Sequence, residues 1–310
     1  MNEPPVDTPQ TALPGCWWHP GRQTGLSCNR CGRPACPECL REAAVGAQCI
    51  DCVTTARREQ RRTAPRTVAG AQLSSRPVVT PVLIAVNVLV YVFTAVQAHS
   101  LFDNERSTLF GDWVLWPRAI GGAHEWWRLA TSGFLHYGPL HIAVNMLALW
   151  IIGRDLEKLL GKARFTAVYV VSLLAGGVSV YLFDDSNRAT AGASGAIYGL
   201  LGGILIIVLR LRLNPAPAIG TIVLNLILTV SLPNISLFGH LGGLVLGAVV
   251  TAAIVYAPKG ARTVWQVVSV VLLAVVLAGL VVYRDAQLSS VACSNDRQGE
   301  LVCTAPASGT

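Results

Sequence analysis

The chain is 310 residues long, with 52% hydrophobic and only 13% charged residues, and its mean hydropathy is +0.50. A soluble domain carries about a quarter charged residues, so this composition excludes an ordinary soluble protein and points to a membrane protein. The net charge of +7 does not mark a nucleic-acid partner, because the basic residues fall between apolar runs, where the positive-inside rule uses them, and not on one soluble face.

Residues 1–14 are Pro- and Thr-rich and are expected to be disordered. The first 70 residues are polar and rich in Pro, Cys and Arg, so no cleavable signal peptide is expected. Residues 15–55 carry Cys16-x-x-His19 and three CxxC pairs: Cys28 and Cys31, Cys36 and Cys39, Cys49 and Cys52. These four pairs supply eight ligands, enough for two tetrahedral zinc sites. A segment of about 40 residues with so few large apolar side chains cannot bury a stabilising core and needs staples. Disulfides are the alternative, but CxxC pairs rarely bridge internally as structural bonds, and His19 completes an even set of ligands. Residues 56–77 form a basic linker with Arg57, Arg58, Arg61, Arg62, Arg66 and Arg76. Beside anionic headgroups each such residue gains about 1 kcal/mol, which holds that side cytoplasmic.

Seven apolar runs of spanning length follow, over Val79–Val96, Leu140–Leu160, Ala163–Phe183, Ser194–Arg210, Ala216–Leu232, Leu237–Tyr256 and Val264–Tyr283. The expected fold is therefore an all-α polytopic membrane protein: six helices over 78–258, a seventh over 259–285, and a small zinc-binding module in front. The links after the second, fourth and sixth runs carry Lys162, Arg164, Arg210, Arg212, Lys259 and Arg262, whereas the link after the third carries Asp184 and Asp185. That asymmetry puts the N-terminus in the cytoplasm and, after seven spans, the tail of 286–310 outside the cell membrane. The nine cysteines divide accordingly. Seven lie in the module, where a reducing cytosol leaves thiolates free for metal, and Cys293 and Cys303 lie in the external tail, where a disulfide can persist. The long link from Ala98 to Thr131 holds Trp113, Trp116, Trp126 and Trp127 and reads as structure lying partly in the outer leaflet.

Polar groups inside a membrane bundle are costly and usually functional. Ser194 opens the fourth run in Gly192-Ala193-Ser194-Gly195, and His240 opens the sixth in Gly239-His240-Leu241-Gly242-Gly243. Gly195, Gly199 and Gly203 form a four-residue repeat on one helix, and Gly239, Gly243 and Gly247 do so on the other, so the two helices can approach closely. Hydroxyl and imidazole then reach the same depth, which meets the nucleophile-plus-base requirement of acyl transfer. No carboxylate stands at matching depth: Asp184 and Asp185 are in a loop and Glu157 is at the other end of its helix. A Ser–His dyad is expected. His141 and Asn145, four residues apart at the start of the second run, share a face and can donate to an oxyanion, together with the Ser194 backbone N–H. Interhelical hydrogen bonds alone would also explain that pair. His136, five residues earlier, is expected to be structural.

Taken together, His136-x4-His141-x3-Asn145, Gly192-Ala193-Ser194-Gly195, Gly239-His240-x2-Gly243-x3-Gly247, Trp127-Arg128 and Gly153-x3-Glu157-x3-Gly161 resemble the rhomboid intramembrane serine proteases over six spans from Val79 to Tyr256. The resemblance implies a serine endopeptidase that cuts membrane proteins in or near a transmembrane segment within the lipid bilayer. Ser194 would be the nucleophile, His240 the general base, and His141 and Asn145 the oxyanion donors. Tyr198 would pack beneath His240, with Gly192, Gly195 and Gly243 supporting the dyad. Trp127 and Arg128 would steady the first loop, and Glu157 would tie helices on the inner side. A catalytically silent rhomboid-like chaperone or binding protein is the alternative. The interleaved cysteine pairs are similar to B-box zinc modules, an addition of the kind seen in actinobacterial rhomboids. That likeness implies two structural zinc ions, with Cys16, His19, Cys36 and Cys39 on one and Cys28, Cys31, Cys49 and Cys52 on the other. A cytosolic protein partner would dock on the module, and catalysis would need no cofactor.

Overall fold

The computed structural model describes residues 12–63, 67–71, 76–232, 235–295 and 301–304. Most of the N-terminal segment expected to be disordered, parts of the basic linker and parts of the C-terminal tail lie outside the described residues. The chain divides into two compact units, Met1–Pro65 and Arg66–Thr310.

In the first unit, strands β1 (Leu40–Glu42) and β2 (Ala47–Cys49) pair antiparallel with Leu40 opposite Cys49. Helix α1 (Ile50–Thr63) follows. It carries Arg57 and Arg58, so this part of the basic linker is helical. The buried core is a cluster of Cys16, Ala35, Cys36 and Cys39 with Trp18 and Leu40 packed against it. An apolar core this small offsets little of the conformational entropy lost on folding.

Among the described residues, the second unit is mostly helical and carries one hairpin. Helix α2 (Val79–Gln97) leads into three short helices, α3 (Thr108–Trp113), α4 (Pro117–Ala123) and α5 (Arg128–Thr131). The sequence places one uninterrupted span over Leu140–Leu160. The structure instead breaks it into α6 (Gly138–Ala148), a π-turn over Leu149–Gly153 and α7 (Arg154–Leu160). Periodicity alone cannot register a single inserted residue of this kind. Next come α8 (Lys162–Phe183), α9 (Ser194–Arg210), α10 (Ala216–Ser231), α11 (Leu237–Val255) and α12 (Arg262–Leu288). Beyond α12, strands β3 (Ala292–Asn295) and β4 (Leu301–Thr304) form a hairpin in which Cys293 faces Cys303, and the two are joined by a disulfide.

Among the described residues, four helices are long and apolar enough to cross a membrane: α2, α8, α11 and the stretch Lys259–Gln287, which holds nearly all of α12. The pair Arg128–Phe134 and Gly138–Leu160, bent by 93°, makes a fifth if it is one span. Helices α9 and α10 are apolar but shorter, at 17 and 16 residues. All seven apolar runs are thus helical, and the protein is a multi-pass membrane protein. Helix α8 is the most enclosed, burying Phe165, Tyr169, Tyr181 and nine others. Helices α10 and α12 bury only two side chains each, Ile222 and Thr229 in the first, Gln266 and Leu277 in the second. Their exposed Val, Leu and Ile faces suit lipid contact.

Candidate active site

Three helices cross so closely that backbone meets backbone. A Cβ on Gly243 of α11 would stand 2.0 Å from the Gly195 carbonyl of α9, and one on Gly247 would stand 2.3 Å from the Gly199 Cα. A Cβ on Gly176 of α8 would lie 2.9 Å from the Gly239 carbonyl. Any side chain at these positions would force the helices apart. The two expected glycine stripes therefore do face each other, and α8 closes the third side.

This packing brings the mouths of α9 and α11 together. Ser236 caps α11, its Oγ accepting from the Gly239 N–H at 3.1 Å. One residue on, His240 is 7% exposed, with its Nε2 2.7 Å from Ser194 Oγ at the first residue of α9. The Tyr198 ring stacks on the His240 imidazole, with centroids 4.0 Å apart and planes 15° from parallel. On its other side, His240 Nδ1 lies 2.8 Å from Thr229 Oγ1. Sequence reasoning missed Thr229, one of three hydroxyl residues in its run, with Thr221 and Ser231.

His141 faces the same serine. Its Nδ1 accepts the Tyr137 backbone N–H at 3.2 Å, so the neutral ring carries its proton on Nε2. Gly192 has φ +132°, a conformation open to glycine and unfavourable for other residues. The point where its Cβ would stand lies 3.1 Å from His141 Nε2 and 3.7 Å from Ser194 Oγ. Glycine thus leaves room between donor and hydroxyl for a substrate oxygen. Asn145 differs from expectation in part: its Nδ2 donates back to the His141 carbonyl at 2.9 Å, which leaves the amide one further N–H for the site. His136 is fully buried with its ring edge-on to His141, centroids 5.1 Å apart. Its turn is held by Asn104, also missed from sequence, which donates to the His136 carbonyl at 2.9 Å and accepts from the Gly138 N–H at 3.0 Å.

The remaining expected residues brace the frame. Buried Arg128 pairs with Glu125 and donates to the carbonyls of Gly111 (2.6 Å) and Val114 (2.9 Å), and Trp127 Nε1 donates to the Asp112 carbonyl at 3.2 Å. The loop between α2 and α6 is thereby pinned into short helices. Glu157 on α7 receives the backbone N–H groups of Val78, Val79 and Thr80 and the Thr80 hydroxyl at 2.7–2.9 Å, capping α2.

In the first unit, the ligand atoms of Cys16, His19, Cys36 and Cys39 lie within 4.8 Å of one another, and so do those of Cys28, Cys31, Cys49 and Cys52. Either set can hold a metal ion. His19 Nδ1 stands 3.4 Å from both Cys36 Sγ and Cys39 Sγ, and Cys31 Sγ stands 3.7 Å from Cys49 Sγ. Tetrahedral ligands about 2.3 Å from a metal would be spaced about 3.8 Å apart, so the donor sets fit. Burial pushes the Cys16 and Cys28 thiols up, but backbone N–H donors outweigh it and bring both down to about 6. One such donor is the Cys49 N–H, 3.2 Å from Cys28 Sγ.

Fold and site together define a polytopic membrane protein with a partly buried Ser–His pair at the mouths of two of its helices. Residues 123–257 match the rhomboid domain. The chain is 33% identical over 223 residues to rhomboid protease GluP of Bacillus subtilis (strain 168), covering 70% of this chain and 43% of that protein. It is 36% identical over 139 residues to putative rhomboid protease YdcA of the same organism (43% of this chain, 63% of that protein). With rhomboid protease AarA of Providencia stuartii the identity is 28% over 211 residues (59% and 74%). The chain therefore spans less than two thirds of the length of either Bacillus protein.

Proposed function

We propose that this chain is a serine endopeptidase that hydrolyses peptide bonds in or near the transmembrane segments of other membrane proteins. The observation that carries this reading is the 2.7 Å contact between His240 Nε2 and Ser194 Oγ at a shared helix mouth. His240 takes the Ser194 proton as Oγ attacks the scissile carbonyl, and later gives it to the leaving amine. The developing oxyanion is assigned to the space beside Gly192, with His141 Nε2–H, the second Asn145 amide proton and the Ser194 backbone N–H as its donors. Removing one such donor typically costs about 2.7–4 kcal/mol of transition-state stabilisation. A substrate helix has to unwind locally to present its backbone, so small or helix-breaking residues near the cut favour cleavage. The related proteins named as rhomboid proteases support the same chemistry.

The charge pattern of the links supports a cytoplasmic N-terminus, an external C-terminal hairpin and a site opening to the outside. The Cys and His donor sets support two structural zinc ions in the first unit, which would serve as a docking module for a cytosolic protein.

The test is cleavage of a reporter membrane protein by the purified chain in lipid vesicles, with labelling by a serine-directed fluorophosphonate alongside. Ser194→Ala is expected to abolish both. Cleavage that survives in Ser194→Ala overturns the reading, and a native chain that neither cleaves nor labels marks a binding protein instead.

A further inference from the structure

The geometry points to Thr229 as the positioning residue of His240, filling with a hydroxyl the place that a carboxylate holds in a catalytic triad; this rests on the protease reading above. Helix α10 turns almost all of its side chains outward, yet Thr229 is 3% exposed and reaches His240 Nδ1 at 2.8 Å. Its hydroxyl also contacts the Asn225 carbonyl at 2.9 Å and the Tyr198 hydroxyl at 2.6 Å.

The proton inventory admits one consistent assignment. To accept the Ser194 proton, His240 must be unprotonated on Nε2, which puts the hydrogen of the neutral ring on Nδ1. The Asn225 carbonyl can only accept, so the Thr229 proton goes there. Both lone pairs of Thr229 Oγ1 then remain to accept, one from His240 Nδ1–H and one from the Tyr198 hydroxyl. All of the hydroxyl's capacity is used. Tyr198, which already stacks on the imidazole, fixes the orientation of the group that sets the tautomer. His240 and His141 are thus set in opposite tautomers by their neighbours, one ring to accept a proton and the other to donate.

The groups facing His240 are Ser194 and Tyr198 from α9, Thr229 from α10 and, across the site, His141 from α6, while α8 contributes Gly176 and Val180 beside Gly239. Thr229 therefore supplies the fixed acceptor for the Nδ1 proton. Its hydroxyl favours the imidazolium formed during reaction over the neutral ring, because a hydrogen bond to a charged group is the stronger.

The experiment compares Thr229→Val, which keeps the shape and removes the hydroxyl, with Thr229→Ser, which keeps the hydroxyl, in the full chain in lipid vesicles. Thr229→Val is expected to lower kcat roughly 10- to 100-fold, the effect of one hydrogen bond to a charged ring, with KM little changed. The acidic limb of its pH–rate profile should move to lower pH, and Thr229→Ser should restore most of both. A Thr229→Val protein with native kcat and pH profile overturns the assignment, and if Ser194→Ala is inactive in the same vesicles the protease reading survives that failure. Nitrogen-15 NMR of the histidine-labelled native chain gives an independent readout that no variant's folding can confuse. His240 protonated on Nδ1 at neutral pH is the expected result, and His240 protonated on Nε2 overturns the assignment.

Discussion

In the N-terminal unit, the side chains that carry chemistry sit three positions apart, as in Cys28-x-x-Cys31, and each cluster is completed by another such pair. In the membrane unit, Ser194 and His240 are separated by 46 positions and meet only because α9 and α11 touch backbone to backbone at Gly195, Gly199, Gly243 and Gly247. The first arrangement has little apolar packing to hold it together, since its buried cluster is four residues with two more against it. The second has much more, since Tyr169, Phe165, Leu200 and Ile254 lie in a continuous apolar cluster. Local spacing writes one site into the sequence. Helix packing writes the other.

Metal removal should separate the two most sharply. Structural zinc contributes about 10–16 kcal/mol of apparent binding free energy in small metal-dependent domains. Chelation, or Cys36→Ser, is therefore expected to unfold residues 12–63, read as rapid proteolysis of that stretch in the full chain. Fluorophosphonate labelling of Ser194 should persist. Labelling lost together with the module would show that the dyad depends on the metal sites and break the comparison. Acid should act in the same direction, because protons compete with the metal for the cysteine thiolates as the pH falls.

The converse test leaves the module intact. Gly243→Ala puts a methyl group 2.0 Å from the Gly195 carbonyl, a clash of backbone that no rotamer change relieves. Overpacking of this kind costs about 1–3 kcal/mol and sometimes more, and here it also pulls the imidazole from the serine. Thermal unfolding in detergent and reporter cleavage should both fall, with cleavage reduced beyond the loss of folded protein. Gly220→Ala on α10 and Gly279→Ala on α12 meet nothing within 4 Å and should leave both readings unchanged.

The same contrast explains what could be read before the structure. Cysteine spacing announced eight candidate metal donors; their division into two sets was implied only by the likeness to B-box modules, and it matches the clusters observed. Glycine periodicity announced that α9 and α11 are in contact, and the residues at their mouths followed. Thr229 could not be reached that way. It lies 11 positions before His240 on a different helix, and nothing in a run of Ile, Leu and Val says which hydroxyl turns inward. Asn104 escaped for a related reason: besides the Thr94 hydroxyl, its partners are backbone groups of a distant turn, and backbone groups leave no trace in residue identity. The π-turn within the second span was hidden because one added residue shifts the helix face without changing composition.

Glu157 tests the comparison at its finest grain, because one side chain there replaces both metal and packing as the tie between elements. Its carboxylate gathers three backbone N–H groups and a hydroxyl at the first turn of α2, a helix whose own N-cap position offers no side-chain acceptor. Glu157→Gln keeps the shape but turns one acceptor oxygen into an NH2 group that faces N–H donors, and it removes the negative charge from the positive end of the helix dipole. The expected cost is about 1–3 kcal/mol, seen as a lower Tm in detergent, with turnover per folded molecule nearly unchanged because the dyad lies at the other end of the bundle. Should turnover fall as far as it does in Gly243→Ala, the seating of α2 would be coupled to the dyad, and tight packing of α8, α9 and α11 would not by itself hold the site.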